Sequence, residues 1–405
     1  MRLEVHDSIE AIGATAWDAL HDGANPTLRF DFLDALEQTG CVGSRHGDSH
    51  GGDGGGDGHG WHPRHFALYS GDEKARGGSH DQLIAACPAY LKTNNYGEFV
   101  FDWAWAEAYQ RRGMAYYPKL VVAVPYTPAS GPRLLIRPGF DAAECAEIAR
   151  LLSAAMRQFC ADNEISGAHW LFAPDEQIRW LEGDGLVRRR GMQFHWHNRD
   201  YDSFDDFLAA LSSRKRKAIR RERQRVVEQK LQVQMLPGSA LSEADWREVH
   251  RYYADIYDRK WGMPTLNAGF FCAIGARMGE ALQVVFAEHA GRRVACAFFL
   301  RGANALYGRF WGCDQRFHSL HFEACYYRGI DYCIRERLAL FEPGAGGEHK
   351  LSRGFLPSPT WSAHWLADSG FQGAIERYCA EEAEHLQAQQ SLWMQQSPYR
   401  ADPQD

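Results

Sequence analysis

Two periodicities alternate along this chain. Short runs that are apolar at every second position, or rich in β-branched residues, predict strands: "GAHWLFA", "LVRRRGMQFHWHN", "ALQVVFAEHA", "RRVACAFFLRG", "ALYGRFWGCD" and "LFEPGAG". "HPRHFALYS" and "LIAACPAYLKTN", joined by the polar loop "SGDEKARGGSHDQ", predict a long hairpin over 65–92. "KLVVAVPYTPASGPRLLI" reads as two strands around a Pro/Gly turn, and "GEFVFDWAWAEAYQRRG" as a strand entering a short helix. The longer period predicts helices in "DAAECAEIARLLSAAMRQFCADN", with Ile148, Leu151, Leu152, Ala155 and Phe159 on one face, in "PDEQIRWLEGDG" and in "LHFEACYYRGIDYCIRERLA". "YDSFDDFLAALSSRKRKAIRRERQRVVEQKLQVQML" predicts one helix ending near Gly238, and "SEADWREVHRYYADIYDRKWG" another, opened by a Ser242/Asp245 capping box.

The order of these elements sets the fold class, α/β (α+β): mixed, mostly antiparallel sheets flanked by helices. The second half has the strand–hairpin–strand–helix–strand rhythm of an acetyltransferase-like (GNAT) core, and the first half a looser version of it. Two tandem copies of one fold are therefore expected, over 1–200 and 201–405, with the last helix (about 370–395) packing back on the first copy. The stretch 43–60, "GSRHGDSHGGDGGGDGHG", holds nothing apolar and reads as a surface insertion. Its His46, His50 and His59 with Asp48, Asp53 and Asp57 could hold a metal loosely, but a solvated loop is the reading adopted. No G-x-G-x-x-G and no P-loop occurs.

Length and composition agree with two globular domains: 405 residues, 45% hydrophobic, 13% aromatic and 24% charged. The first twenty residues lack a basic stretch followed by an apolar core, and no apolar run is long enough to span a bilayer. Ten cysteines are scattered without CxxC, and Cys87, Cys296, Cys313 and Cys325 sit among apolar neighbours. A reduced, cytoplasmic protein with no structural zinc and no membrane span is expected.

Charge changes this picture at one place. The formal net charge is −7, yet Arg214 to Arg225 holds eight Lys and Arg against one Glu, leaving −14 for the rest of the chain. Leu211, Ala218, Ile219 and Val226 form a narrow apolar stripe along this stretch, so the basic side chains cover the other faces. They either project into water or meet something anionic.

Nine blocks, in order, carry a family resemblance: "FDWAWAEAY", "YYPKLVVAVPYTPASGPRLL", "QFHWHN", "LSSRKRKAIRRER", "RKWG", "LYGRFWG", "LHFEACYY", "FEPGAGGEHKLSRGF" and "SAHW". Together they resemble the bacterial FemAB-like predicted N-acyltransferases, related to peptidoglycan biosynthesis or recognition, over about 25–380. The resemblance implies a tandem GNAT-like fold and transfer of an acyl or aminoacyl group to an amine. True Fem enzymes take an amino acid from its tRNA and attach it to a peptidoglycan precursor. Arg214, Lys215, Arg216, Lys217 and Arg220 match their basic stretch entering the second domain, and Lys350 matches a lysine shortly after the last core strand. A long helical arm for gripping tRNA is not evident.

Amide formation needs a proton taken from the amine, a stabilised oxyanion and two substrates held at attack distance. Lys350 is the expected oxyanion-stabilising cation, with His349 or Glu323 taking the amine proton. Glu323 lies on the helix face with Tyr327 and Ile330, and its other reading is a partner for Arg309 or Arg316. Arg214 to Arg220, with Arg353, are expected to hold an anionic or phosphorylated donor or acceptor in the same pocket as Lys350. Asp102 is either a helix N-cap or a contact to the substrate amine. Lys260 and Trp261 are either a cation–aromatic platform or a helix end. The donor expected is aminoacyl-tRNA or acyl-CoA, with no other cofactor and no metal. The segment "CDQRFHSLHFEACYY" has no glycine for the close backbone approach that a CoA pyrophosphate needs. A non-catalytic module recognising a cell-wall precursor or RNA is the rival reading.

Overall fold

The structure, a computed structural model, describes residues 1–43, 58–71, 82–258 and 262–400. Its strands are β1 (Arg2–His6), β2 (Trp61–Pro63), β3 (His65–Tyr69), β4 (Leu83–Cys87), β5 (Ala89–Lys92), β6 (Lys119–Val122), β7 (Leu135–Ile136), β8 (Gly167–Leu171) and β9 (Val187–His197), followed by β10 (Leu231–Pro237), β11 (Leu282–His289), β12 (Arg292–Arg301), β13 (Ala305–Cys313), β14 (Leu340–Glu342) and β15 (Leu356–Leu366). The helices are α1 (Ala14–Asp18), α2 (Phe30–Gln38), α3 (Trp103–Arg111), α4 (Ala142–Asp162), α5 (Asp175–Gly183), α6 (Phe204–Ala210), α7 (Ser213–Glu228), α8 (Glu243–Asp258), α9 (Ala268–Met278), α10 (Leu320–Phe322), α11 (Arg328–Arg335) and α12 (Ser369–Gln395). Most of the metal-binding alternative, 44–57, and the Lys260–Trp261 platform lie outside the described residues.

The chain divides into two compact units. The first comprises 1–23, 27–191 and 359–386; the second comprises 24–26, 192–358 and 387–405. In the first, an antiparallel sheet β1-β3-β4-β7 accompanies a run in which β2, β5 and β6 pair antiparallel, β6 pairs parallel with β8, and β8 pairs antiparallel with Ser362–Leu366 of β15. The predicted hairpin forms between β3 and β4 only. After Pro88 the chain leaves for the other sheet, where β5 pairs with β2 and β6. The expected strand before α3 is absent, because Glu98 and Asp102 turn inward to Lys119. On α4 the buried ridge is Ile148, Leu152, Met156 and Cys160 with Ala149 and Ser153, while Leu151, Ala155 and Phe159 lie at its edge. A wide apolar stripe leaves the facing ridge ambiguous, and packing against Phe66, Leu120 and Trp170 selects it.

In the second unit β10, β11, β12 and β13 form an antiparallel meander, β13 pairs parallel with β14, and β14 pairs antiparallel with the end of β9. Its core gathers Trp196, Phe207, Ile219, Phe299, Ile330 and Phe341. The single helix expected over 204–238 is instead two helices and a strand. Leu211 is extended (φ −85, ψ 155) and bridges Tyr399, and the Ser212 N–H donates to the Pro398 carbonyl at 2.9 Å. The alternating "LQVQMLP" then becomes β10. The α7 stripe holds for Leu211, Ile219 and Val226, but Ala218 is exposed.

Candidate active site

β13 and β14 run parallel for three residue pairs, Ala305–Leu340, Leu306–Phe341 and Tyr307–Glu342, and then part. Gly308 approaches Pro343 so closely that a Cβ would sit 3.1 Å from its Cα. Arg309 is an extra residue in β13, since Phe298 pairs with Phe310 and Phe299 with Gly308, and such a bulge bends the strand away. On the opposite side the chain turns through Gly344, Gly346 and Gly347, all at positive φ, a path glycine follows at little cost. Between the two lies a cavity of about 380 Å³. It sits at the carboxyl ends of the parallel pair, where α/β folds place ligands.

Lys350 enters this cavity from the short helical turn after Gly347 and is only 3% exposed. Its ammonium donates to the carbonyl oxygens of Gly344 (2.6 Å) and Ala345 (3.4 Å) and meets no carboxylate among the described residues. Burial without a counter-charge pulls its pKa down to about 8. The lining adds Arg309, His321, His349, Cys325 and Tyr326 and, among the described residues, no Asp or Glu. The His349 Nε2 lies 2.8 Å from the Tyr326 hydroxyl. Burial first, then Arg353 and Lys350, lower the pKa of His349, and His321 is pulled down to about 4 by burial and the same cations with His349. Both rings are therefore neutral near pH 7, and the His349–Tyr326 pair can accept or relay a proton.

The floor is a helix interrupted at Glu323–Tyr327 by a wide π turn, which places His321 one turn from Cys325 and Tyr326. Sequence reasoning missed His321 and Tyr326 as cavity residues, because the apolar pattern does not reveal an inserted residue.

Glu323 is turned elsewhere. It lines a separate cavity of about 480 Å³ with Arg220 and Arg223, and its carboxylate pairs with Arg223 at 3.1 Å and Arg328 at 3.0 Å, not with Arg309 or Arg316. Burial raises its pKa against these two cations. A doubly paired carboxylate facing another cavity has the setting of a structural counter-ion, away from Lys350, beside which a proton acceptor was expected.

The basic stretch on α7 divides in the same way. Arg220 pairs with Asp205 at 3.0 Å and Arg223 also reaches Asp331 at 2.9 Å, so neither lines the Lys350 cavity. Arg214, Lys215, Arg216, Lys217 and Arg221 make no ion pair among the described residues, and Arg214, Lys217 and Arg221 are exposed. The link from α7 to the site runs through Glu222, which accepts from Arg353 Nε (3.2 Å) and Nη2 (2.7 Å) and from the Tyr327 hydroxyl. Arg353 also donates to the His349 carbonyl at 2.8 Å and lies 3.3 Å from the Phe322 ring centroid. Its guanidinium positions the turn that carries His349 and Lys350.

In the first unit the corresponding place holds a buried arginine. β6 and β8 also run parallel for three pairs, Leu120–Ala168, Val121–His169 and Val122–Trp170. At their carboxyl ends the buried Arg133 donates to the carbonyls of Leu171 (2.8 Å), Ala129 (2.7 Å) and Gly131 (2.9 Å). Asp102 belongs to this unit. It precedes α3 but makes no side-chain cap; its carboxylate pairs with Lys119 and accepts from Tyr116 at 2.6 Å. Burial works against ionisation there, yet Lys119 holds Asp102 below the ordinary carboxylate range. The expected cap is thus replaced by a buried ion pair.

The sequence profile of the FemAB-like family, described as peptidoglycan biosynthesis/recognition, matches residues 8–401. No curated protein matches the chain. Among solved structures, FemX aligns with a TM-score of 0.50 at 10% identity, over 93% of this chain and 100% of its own. A conserved protein of unknown function from Bacteroides thetaiotaomicron aligns at 0.49 and 10% identity over 90% and 99%. A tandem GNAT protein from the clavulanic acid biosynthesis pathway aligns at 0.44 and 12% identity over 91% and 99%. The FemX likeness shows a shared fold, the tandem GNAT-like α/β arrangement that the strand–helix rhythm predicts.

Proposed function

The chain belongs to the FemAB-like family of peptidoglycan biosynthesis/recognition proteins, and on that premise we propose that it is an N-acyltransferase using the cavity between β13 and β14. The donor is an activated acyl or aminoacyl group, the acceptor an amine of a small or cell-wall-related molecule. In the reaction the amine attacks the donor carbonyl, a C–N bond forms and the carbonyl oxygen becomes an oxyanion. Lys350, a buried cation with only carbonyl partners, meets that charge. His349, oriented by Tyr326, takes the proton from the attacking amine and returns it to the leaving oxygen or sulfur as the tetrahedral intermediate collapses.

The observation that carries this reading is Lys350 itself: a buried lysine, without a carboxylate, in a cavity whose described lining is cationic or neutral. The buried Lys119, by contrast, pairs with Glu98 at 2.8 Å and also with Asp102. Such a site favours a ligand that develops negative charge.

The unpaired cations of α7 support an anionic handle on one substrate, a phosphorylated precursor or the tRNA of an aminoacyl donor. Ser319 takes a positive φ of 66 where a pyrophosphate loop would place glycine, and its side chain weighs against close approach of a CoA pyrophosphate there. The ten cysteines form no disulfide among the described residues, in keeping with a cytoplasmic place of work. The test is turnover of purified protein with aminoacyl-tRNA and with acyl-CoA against a nucleotide-linked cell-wall precursor. Product from acyl-CoA alone refutes the donor assignment. A Lys350→Ala protein that stays folded and turns over at the wild-type rate refutes the site.

A further inference from the structure

β10 is the last strand of the second unit's meander. It pairs with β11 on one side, and on the other Gln232 to Leu236 make no backbone hydrogen bond among the described residues. Open edges are normally protected by lysines, bulges or a covering helix. Here the strand reads "LQVQMLP", seven residues without a charge in a chain that is 24% charged, and only Pro237 at its end blocks pairing. At about 3.4 Å per residue it offers roughly 24 Å of edge.

The space beside this edge is open. Two cavities of about 480 and 490 Å³ lie along β10 and share Phe204, Val233 and Arg328. Leu231 and Val233 line the first and Val233, Gln234 and Met235 the second, so the strand borders unfilled volume along most of its length, with Arg220, Arg223, Glu323, Asp331 and Arg335 on the other walls. Val227, on the rim of the first cavity, is 65% exposed.

We propose that this edge is a dimerisation surface, on which β10 of a second copy of the chain adds antiparallel and makes one continuous sheet. The occupant follows from the strand's self-complementarity. With Gln234 on the two-fold axis, Val233 lies opposite Met235 of the second copy, Leu231 opposite its Pro237, and Gln234 opposite its own amide. No like charges oppose one another along the strand. Each added hydrogen bond uses a backbone group now facing solvent.

The test is mass in solution by size exclusion with light scattering over a range of concentrations, combined with two variants at the axis. The wild-type chain is expected at twice 45.9 kDa. Gln234→Lys places two ammonium groups against each other and is expected to give the single-chain mass with an unchanged circular dichroism spectrum. Gln234→Cys is expected to give a covalent dimer under mild oxidation, above the background of wild-type protein with its ten thiols. A wild-type single-chain mass throughout overturns the proposal, whether or not the edge takes up some other peptide. So does a dimer that survives Gln234→Lys. Should that variant unfold, absence of the Gln234→Cys crosslink overturns the proposal on its own.

Discussion

The Lys350 ammonium donates to the carbonyl of Gly344 at 2.6 Å, six residues back along its own chain. The partner is a dipole, not a charge, so the lysine is held in place without being neutralised. Its folded pKa of about 8 lies below the unfolded value of 10.5, so the unfolded chain binds more protons between those limits. The penalty is fully present below pH 8, shrinks as pH rises, and is gone above 10.5. It amounts to roughly 3 kcal/mol. Lys350→Met should therefore raise the urea unfolding free energy by about 2–3 kcal/mol at pH 7 and abolish turnover. Wild type and variant should converge in stability by pH 10.5.

The same group limits activity at high pH. Lys350 works as the cation, so kcat should fall as pH rises through about 8. His349 must be neutral to accept a proton, and its pKa lies below the ordinary 6.5, so the acid limb should fall below that value. Tyr326→Phe should lower kcat about tenfold and leave KM unchanged. Activity that climbs steadily past pH 9 would show that Lys350 acts as a free amine instead.

Glu222, the one acid among the eight cations of Arg214–Arg225, should be the most costly residue of that stretch to remove. It receives both arms of Arg353 and the Tyr327 hydroxyl, with Arg353 9% and Glu222 19% exposed. Glu222→Ala should cost about 2–4 kcal/mol in chemical denaturation, because it strands a largely buried guanidinium. Arg214→Ala should stay within about 0.5 kcal/mol of wild type.

Glu323→Gln separates the structural reading from the catalytic one. Losing the charge that Arg223 and Arg328 face should lower the melting temperature. The pH–rate profile should keep its shape. A lost acid limb would restore Glu323 as the proton acceptor.

Binding of the anionic substrate should depend on salt through Arg214, Lys215, Arg216, Lys217 and Arg221. If tRNA covers five of them, the slope of log K against log salt is about −4; a precursor with two phosphates gives about −2. Replacing Arg214 and Lys217 by alanine should flatten the slope in proportion, as read by fluorescence anisotropy.

Much of the fold is legible in the residues. The meander from β11 to β13 and the Ser242/Asp245 capping box follow from alternation and local hydrogen bonding. The family resemblance singles out Lys350 but not its isolation, since nothing local in the sequence says whether a carboxylate folds back to meet it. Helical spacing shows that Glu323 is buried and not which wall its side chain faces. The break at Leu211 depends on Pro398 and Tyr399, nearly two hundred residues away, beyond the reach of any periodicity.

Arg133 is, in effect, a tenant that never leaves. Each half of this protein builds the same kind of seat at the end of a parallel strand pair, and one of them is occupied from the moment of folding by a guanidinium of the chain itself. Mutational drift in that half is constrained by volume and by the pattern of carbonyls around the resident. The other seat, beside Lys350, stays open, so small-molecule selection, by evolution or by a medicinal chemist, can act there.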